Sequence, residues 1–308
     1  MRAIQTMEIR GAPALGVAGA YGVALAARQS TARDLPGFLQ EVQEQARALA
    51  ATRPTAVNLS WGVHRVLARM ATARDIPEAQ SITLVEAHRI AQEDEEICLR
   101  IGAVGAALLP RVCTVLTHCN AGALACTRWG TALGVIRSAV AQGSKVRVFA
   151  CETRPLFQGS RLTAWELKRD GIEVTVLADD AAATRMRRGE IDLVLVGADR
   201  ITPDAVFNKI GTYMHAVCAK HHAIPFYVAA PLSTFDLEHT EEDVEVEERD
   251  REEIAFCGGR RLAPEGVVVK NEAFDATPIS LVSGIITEAG IFYPPLEKAR
   301  VLSAQRSI

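Results

Sequence analysis

The pattern of apolar and polar positions changes character about a third of the way along this chain. In residues 9–29, 36–51, 58–73 and 82–109, apolar residues recur at helical spacing within runs rich in Ala, Leu, Arg, Gln and Glu. That is the composition and period of helices that bury one stripe. Short breaks such as Thr52-Arg53-Pro54-Thr55 separate them, because a residue before proline avoids the helical region. From Arg111 onward the apolar runs become short, β-branched and continuous: 112–116, 146–150, 174–177, 193–196 and 226–229. Runs without strict alternation suit strands covered on both faces. Helical stretches at 131–142, 164–170, 184–188 and 209–221 lie between them, and such alternation predicts a parallel, doubly wound sheet. A further apolar run, 267–269, is a candidate edge or late strand. The expected fold is α/β: an N-terminal helical subdomain over residues 1–110, then a Rossmann-like parallel sheet flanked by helices over 111–308.

Composition narrows the function classes. With 308 residues, 49% of them hydrophobic, the chain can bury a core of one large or two modest domains. Alanine is abundant and aromatics scarce, which predicts closely packed helices. The net charge of −3, from 34 basic and 37 acidic residues, shows no basic excess and argues against a nucleic-acid partner. Every apolar run is interrupted by Arg, Gln, Glu or His before it reaches the length of a membrane span, and residues 1–10 lack the apolar centre of a secretory signal. Seven cysteines, an odd number with no CxxC pair, suggest reduced thiols and no zinc site. The expectation is a cytoplasmic, metal-free protein. The acidic block 238–253 is read as a solvated loop or edge.

In open parallel sheets ligands gather beyond the carboxyl ends of the strands. After the first strand comes Thr117-His118-Cys119-Asn120-Ala121-Gly122; after the second, Cys151-Glu152-Thr153-Arg154-Pro155, leading to Gln158-Gly159-Ser160-Arg161; after the fourth, Gly197-Ala198-Asp199-Arg200, then Asn208-Lys209 opening the next helix. Cys119 stands out from the other six cysteines, which are read as packing residues. It sits between polar neighbours at a strand end, with Gly122 permitting a tight loop and a helix start expected to follow and favour a thiolate. A buried, inert thiol fits the same position. Asp199 directly follows an apolar strand, where desolvation raises a carboxyl pKa towards what a general acid needs; a helix cap or a partner for Arg200 fits equally. Arg10-Gly11-Ala12 opens the first long helix in the manner of a phosphate cradle, although many helices begin so. Arg53 and Lys209 are further anion ligands or solvated cations, and Gln158 and Asn208 are candidate donors to sugar hydroxyls or ordinary loop residues.

No G-x-G-x-x-G opens a helix after the first strand, and neither a P-loop nor a G-x-S-x-G elbow is present, so nicotinamide, ATP and serine-hydrolase readings lose support. The ordered set Arg10-Gly-Ala-Pro-Ala14, Thr52-Arg-Pro-Thr-Ala-Val-Asn-Leu59, Thr117-His-Cys-Asn-Ala-Gly122, Glu152-Thr-Arg-Pro155 with Gln158-Gly-Ser-Arg161, Gly197-Ala-Asp-Arg-Ile201, Asn208-Lys-Ile-Gly-Thr212 and Phe274-Asp-Ala-Thr-Pro278 resembles the methylthioribose-1-phosphate isomerases of methionine salvage. The resemblance runs from Arg10 to about residue 290. The wider superfamily holds the regulatory subunits of translation initiation factor 2B and ribose-1,5-bisphosphate isomerases, and these supply the alternatives: the bisphosphate substrate, or a regulatory subunit without turnover. Family members usually carry a further, partly β-structured segment ahead of the Arg-Gly-Ala-Pro-Ala helix; here nine residues precede Arg10.

The resemblance implies that Cys119 and Asp199 are catalytic and that Arg10, Gly11, Ala12, Arg53, Gln158, Asn208 and Lys209 bind the sugar phosphate. It also implies a cytoplasmic homodimer without metal or redox cofactor. The implied reaction turns an aldose, 5-methylthio-ribose 1-phosphate, into the ketose 5-methylthio-ribulose 1-phosphate. Phosphate on C1 blocks simple opening to an aldehyde. A protonated Asp199 would donate to the ring oxygen, and then either Cys119 carries the C2 proton to C1 or a hydride moves directly. Trp61 is a candidate contact for the methylthio group.

Overall fold

A computed structural model describes residues 1–53 and 57–306. Pro54, Thr55 and Ala56, the middle of the Thr52-to-Leu59 motif and of the predicted break there, and Ser307 and Ile308 lie outside the described residues. Five helices come first: α1 (Arg2–Gln5), α2 (Ala12–Gln29), α3 (Leu35–Ala50), α4 (Val57–Met70) and α5 (Ile76–Ala106). Asp34 caps α3 by accepting from the Gly37 N–H at 2.8 Å, and Asp75 caps α5 by accepting from Glu78 at 2.8 Å, each with a proline in the first turn. The aspartate cap starts α5 six residues before the predicted Ile82. Alanine and glycine let α2 and α4 meet backbone to backbone: a Cβ on Gly62 would collide with the carbonyl of Gly16. Leu15, Val23, Phe38, Leu59, Val63 and Ile90 fill the core between these helices.

The chain then alternates: β1 (Val112–Thr117), α6 (Ala132–Ala141), β2 (Lys145–Cys151), α7 (Ala164–Arg169), β3 (Glu173–Leu177), α8 (Ala181–Arg187), β4 (Leu193–Val196), β5 (Arg200–Ile201), β6 (Ala205–Lys209), α9 (Thr212–His221), β7 (Phe226–Ala229), α10 (Glu252–Ala255), β8 (Phe256–Cys257), β9 (Arg260–Arg261), β10 (Phe274–Pro278), β11 (Gly284–Thr287), β12 (Gly290–Phe292) and α11 (Lys298–Arg306). Seven strands form the main sheet in the order β12-β11-β7-β4-β1-β2-β3, parallel throughout except for β12. Neighbouring residues of each central strand enter opposite cores. Val115, Leu193 and Leu195 pack towards α5 and α6, while Leu116, Val194 and Val196 pack towards α8 and α9. This two-sided burial is why the strands read as unbroken apolar runs.

Three expectations need correction. The run 267–269 forms no strand: Val267 and Val268 are exposed in a turn and the segment after it, and the late strands are β10, β11 and β12. Asn208 and Lys209 do not open a helix; they end β6, and α9 begins only after Gly211, whose left-handed φ of 102° redirects the chain. The stretch after Asp199 was not foreseen as β structure, yet β5, β6 and β10 form a small antiparallel sheet of their own. The acidic block is mostly exposed, in keeping with a solvated loop, although Glu247 within it pairs with Arg53 at 3.2 Å and with Arg249 at 2.9 Å.

Candidate active site

The order of the main sheet places the site. From β1 the chain steps outward to β2 and β3, then returns to the other side of β1 as β4 and continues to β7. The reversal leaves a crevice between the carboxyl ends of β1 and β4, where open α/β sheets bind ligands. Cys119 lies two residues beyond β1 and Asp199 three residues beyond β4. Both line one small cavity, together with Arg10, Gly11, Ala12 and Asn208. Of the other residues singled out from sequence, Arg53, Gln158 and Lys209 are buried but outside the lining. Trp61 lies elsewhere, on α4, with the guanidinium of Arg65 over its ring at 5.4 Å. Apolar contact in the cavity comes from Pro13, Ala121, Ala125, Ala229 and Pro231. Cys126, expected to be only a packing residue, also lines it.

Cys119 has φ +63°, a left-handed conformation that costs a non-glycine residue of order 1–3 kcal/mol and persists only where its surroundings fix it. Here they do. Its N–H donates to Thr153 Oγ1 at 2.8 Å, and its carbonyl accepts from Thr163 Oγ1 at 2.7 Å. Contrary to the sequence expectation, no α-helix begins beside the sulfur; a 3₁₀ turn (Ala123–Ala125) follows and α6 starts only at Ala132. Cations stand in its place. Arg10 Nη2 is 3.9 Å from Sγ, and the same guanidinium donates to Asn120 Oδ1 at 2.6 Å and to the Asn120 carbonyl at 2.9 Å. Lys209 is held by the Ala273 carbonyl at 2.8 Å and by the Phe274 ring at 4.6 Å. Burial lowers its pKa, opposed by negative charge on Cys119 and Asp199.

Asp199 keeps a partial opening to the cavity but is otherwise enclosed by protein, and desolvation raises its pKa despite the cations of Lys209, Arg53 and Arg10. Among the described residues no hydrogen bond or ion pair reaches its carboxyl group, and Arg200 pairs instead with Asp236 at 3.4 Å. Arg53 answers to Glu247. Asn208 donates to Thr212 Oγ1 at 2.9 Å, and Gln158 has a buried Oε1 with no partner among the described residues.

Gly11 joins Arg10 to α2 with φ +97°, and a Cβ there would lie 2.5 Å from the Ala125 Cα. Gly11→Ala should therefore cost about 1–3 kcal/mol in urea unfolding and force Arg10 away from the 3₁₀ turn. Unchanged stability would show that the two segments are not in contact.

One cluster was invisible in the sequence. His118, Cys151 and His215 converge behind the cavity with potential ligand atoms within 4.8 Å of one another. The His118 Nε2–H donates to the Ile210 carbonyl at 2.8 Å, so its Nδ1 accepts from His215 Nε2 at 3.1 Å, a tautomer assigned from this network. Burial brings the two imidazoles down to about 4 and about 3, leaving both neutral near pH 7. The lone pair a metal would need on His118 is taken up by this pairing. The pair instead ties the loop carrying Cys119 to the start of α9.

Fold and site together define a doubly wound α/β protein whose small-ligand cavity, with a thiol and a carboxyl in its wall, opens at the switch point of the sheet. The chain belongs to the initiation factor 2 subunit family, which it matches over residues 8–294, and within it to the methylthioribose-1-phosphate isomerases. It is 55% identical, over 97% of its length and 86% of the relative's, to a putative methylthioribose-1-phosphate isomerase of Methanosarcina acetivorans. It is 50% identical, over 98% and 88%, to a 5-deoxyribose 1-phosphate isomerase of Moorella thermoacetica. The crystal structure of 5-methylthioribose 1-phosphate isomerase from Pyrococcus horikoshii matches with a TM-score of 0.87 at 44% identity, covering 100% of this chain and 86% of that one. A structure from A. fulgidus described as the delta subunit of translation initiation factor eIF-2B matches with a TM-score of 0.84 at 53% identity, covering 98% and 89%.

Proposed function

We propose that this chain is an aldose–ketose isomerase that converts 5-methylthio-α-D-ribose 1-phosphate into 5-methylthio-D-ribulose 1-phosphate in methionine salvage. The observation that carries the mechanism is that Cys119 and Asp199, from neighbouring strand ends, line one small cavity beside Arg10. Arg10, at the start of α2 with Gly11 and Ala12, takes the phosphate. Asn208 binds sugar hydroxyls within the cavity, while Arg53, Lys209 and Gln158 act from just behind its wall.

The protonated Asp199 gives its proton to the ring oxygen as the bond from that oxygen to C1 breaks, leaving electron-poor carbon at C1. Cys119, as thiolate, removes the proton from C2, and the electron pair of that bond forms a C1=C2 enol. The thiol returns the proton to C1 while the C2 hydroxyl loses its own to the Asp199 carboxylate. This leaves the C2 ketone with both groups restored. The approach of Arg10 to the sulfur, at 3.9 Å, sets a positive charge beside the group that the proton route uses, which favours that route over a direct hydride shift.

Among the described residues lining the cavity, Arg10 alone carries a positive charge, and the apolar part of the lining is largely alanine and proline. That suits one phosphate and an apolar C5 substituent better than the two phosphates of ribose 1,5-bisphosphate. A 5-deoxyribose 1-phosphate, named for the Moorella relative, meets the same requirement and is the second substrate to test. A coupled isomerase assay decides: turnover of methylthioribose 1-phosphate at least tenfold above the bisphosphate is expected. Ligand binding without turnover of any of the three would instead favour a regulatory subunit. The reading includes a homodimer, which ultracentrifugation tests, and a cytoplasmic setting, where the seven free thiols would stay reduced.

A further inference from the structure

Glu166 takes no part in the reaction, yet its carboxylate is almost fully buried beneath the site, on α7. Four donors converge on it. Oε1 accepts from Asn120 Nδ2 at 2.9 Å and from the Leu124 N–H at 3.3 Å; Oε2 accepts from the Ala123 N–H at 2.7 Å and from Arg137 Nη2 at 2.8 Å. Arg137 is held in turn by Asp170 and by the Trp129 carbonyl. Gly122 makes the approach possible, since any Cβ there would run into the Glu166 carboxylate.

The arrangement fixes a side chain one step nearer the ligand. Asn120 Nδ2 donates to Glu166 and to Thr163 Oγ1, whose own proton goes to the Cys119 carbonyl. With its amide nitrogen committed downward, Asn120 must present Oδ1 upward, where it accepts from Arg10 Nη1 at 2.6 Å. We infer that Glu166 is a positioning residue that, through Asn120, sets the orientation of Arg10 and so the affinity of the site for the phosphate group. This rests on the reading of Arg10 as the phosphate ligand. Only an acceptor-only group suits the position, because all four partners are donors. An amide would turn its NH₂ towards one of them, and the cheapest relief is to flip Asn120 and set its own NH₂ against Arg10.

The test uses Glu166→Gln and the double variant Glu166→Gln with Asn120→Asp. In the double variant, the carboxylate at position 120 accepts both from the new amide below and from Arg10 above. The probe is inorganic phosphate, titrated against protection of Cys119 from alkylation, and the KM and kcat of the isomerase are read alongside. Glu166→Gln should weaken phosphate and raise KM about tenfold, the cost of facing one buried donor with another, with kcat changed less. The double variant should recover most of that loss. Binding within twofold of wild type in Glu166→Gln overturns the inference. So does a loss that the double variant fails to restore, which would mark Glu166 as merely structural, and so does wild-type protein that phosphate does not protect. If wild type binds phosphate and the variants behave as expected while no sugar phosphate turns over, the positioning role stands and the isomerase reading falls.

Discussion

Cys119→Ala should lower kcat by ~10³–10⁴-fold, near the upper range for a removed proton-transfer group, while KM changes by less than a few-fold. The asymmetry follows from where the sulfur stands. In the proposed mechanism phosphate affinity rests on Arg10, whose guanidinium is anchored on Asn120 rather than on Sγ, so removing the sulfur would take away the proposed base and spare the anchor. Alanine occupies the same left-handed φ at about the same cost as cysteine, and the backbone bonds from Thr153 and Thr163 remain. The melting temperature should therefore stay close to that of wild type, which separates chemistry from collapse. Cys119→Ser should be nearly as inactive, since a hydroxyl of much higher pKa is a poor base precursor here. Wild-type turnover in heavy water supplies the second measurement: deuterium should appear at C1 of the product. Near-normal kcat in Cys119→Ala would remove the sulfur from the reaction, and an unlabelled C1 would mark either a hydride shift or a proton returned before it exchanges with solvent.

What could be read in the residues, and what could not, divides along a physical line. The runs 193–196 and 226–229 coincide with β4 and β7 because strands buried on both faces carry their environment in local composition. Once those strands are placed, the rule for strand ends puts Cys119 and Asp199 in one crevice without any knowledge of distant contacts. The same rule applies at the end of β7, where Ala229 and Pro231 line the cavity, but apolar residues announce no chemistry. Asn208 and Lys209 misled because residues 209–221 have helical composition, while the true start of α9 is decided by the backbone at Gly211 and by Asp275, which accepts from the Gly211 and Tyr213 amides. The β5–β6 hairpin left a local trace in Thr202-Pro203-Asp204, where the Thr202 hydroxyl bonds Asp204 at 2.8 Å, but its strands are too short to show a period. Glu166 left no trace. It is one glutamate on a short helix, and its meaning comes from Asn120, 46 residues away. Arg53 likewise finds Glu247 across 194 residues, where no sequence window can see a partner.

Asp199→Asn is the complementary experiment, and it should separate activity from stability. Asparagine keeps the shape and the cavity wall but cannot give a proton to the ring oxygen, so kcat should fall by ~10²–10⁴-fold. Its effect on stability depends on pH, with a sign set by the raised pKa of Asp199. A carboxyl whose folded pKa lies above its unfolded value favours the folded state while protonated. That contribution is fully present below the ordinary carboxylate range, about 3.9, and is lost as pH rises through the folded value. The asparagine variant has no such ionisation. The two melting temperatures should therefore lie closest near pH 4, and the variant should gain on wild type as pH increases. In the proposed mechanism the same proton opens the ring, so kcat/KM of wild type should decline on the basic side as Asp199 ionises. A variant that loses stability relative to wild type with rising pH would reverse the sign and show the carboxylate to be stabilised by Lys209, Arg53 and Arg10 more than it is penalised by burial. Asp199 would then enter the reaction ionised, and another group would have to supply the proton that opens the ring.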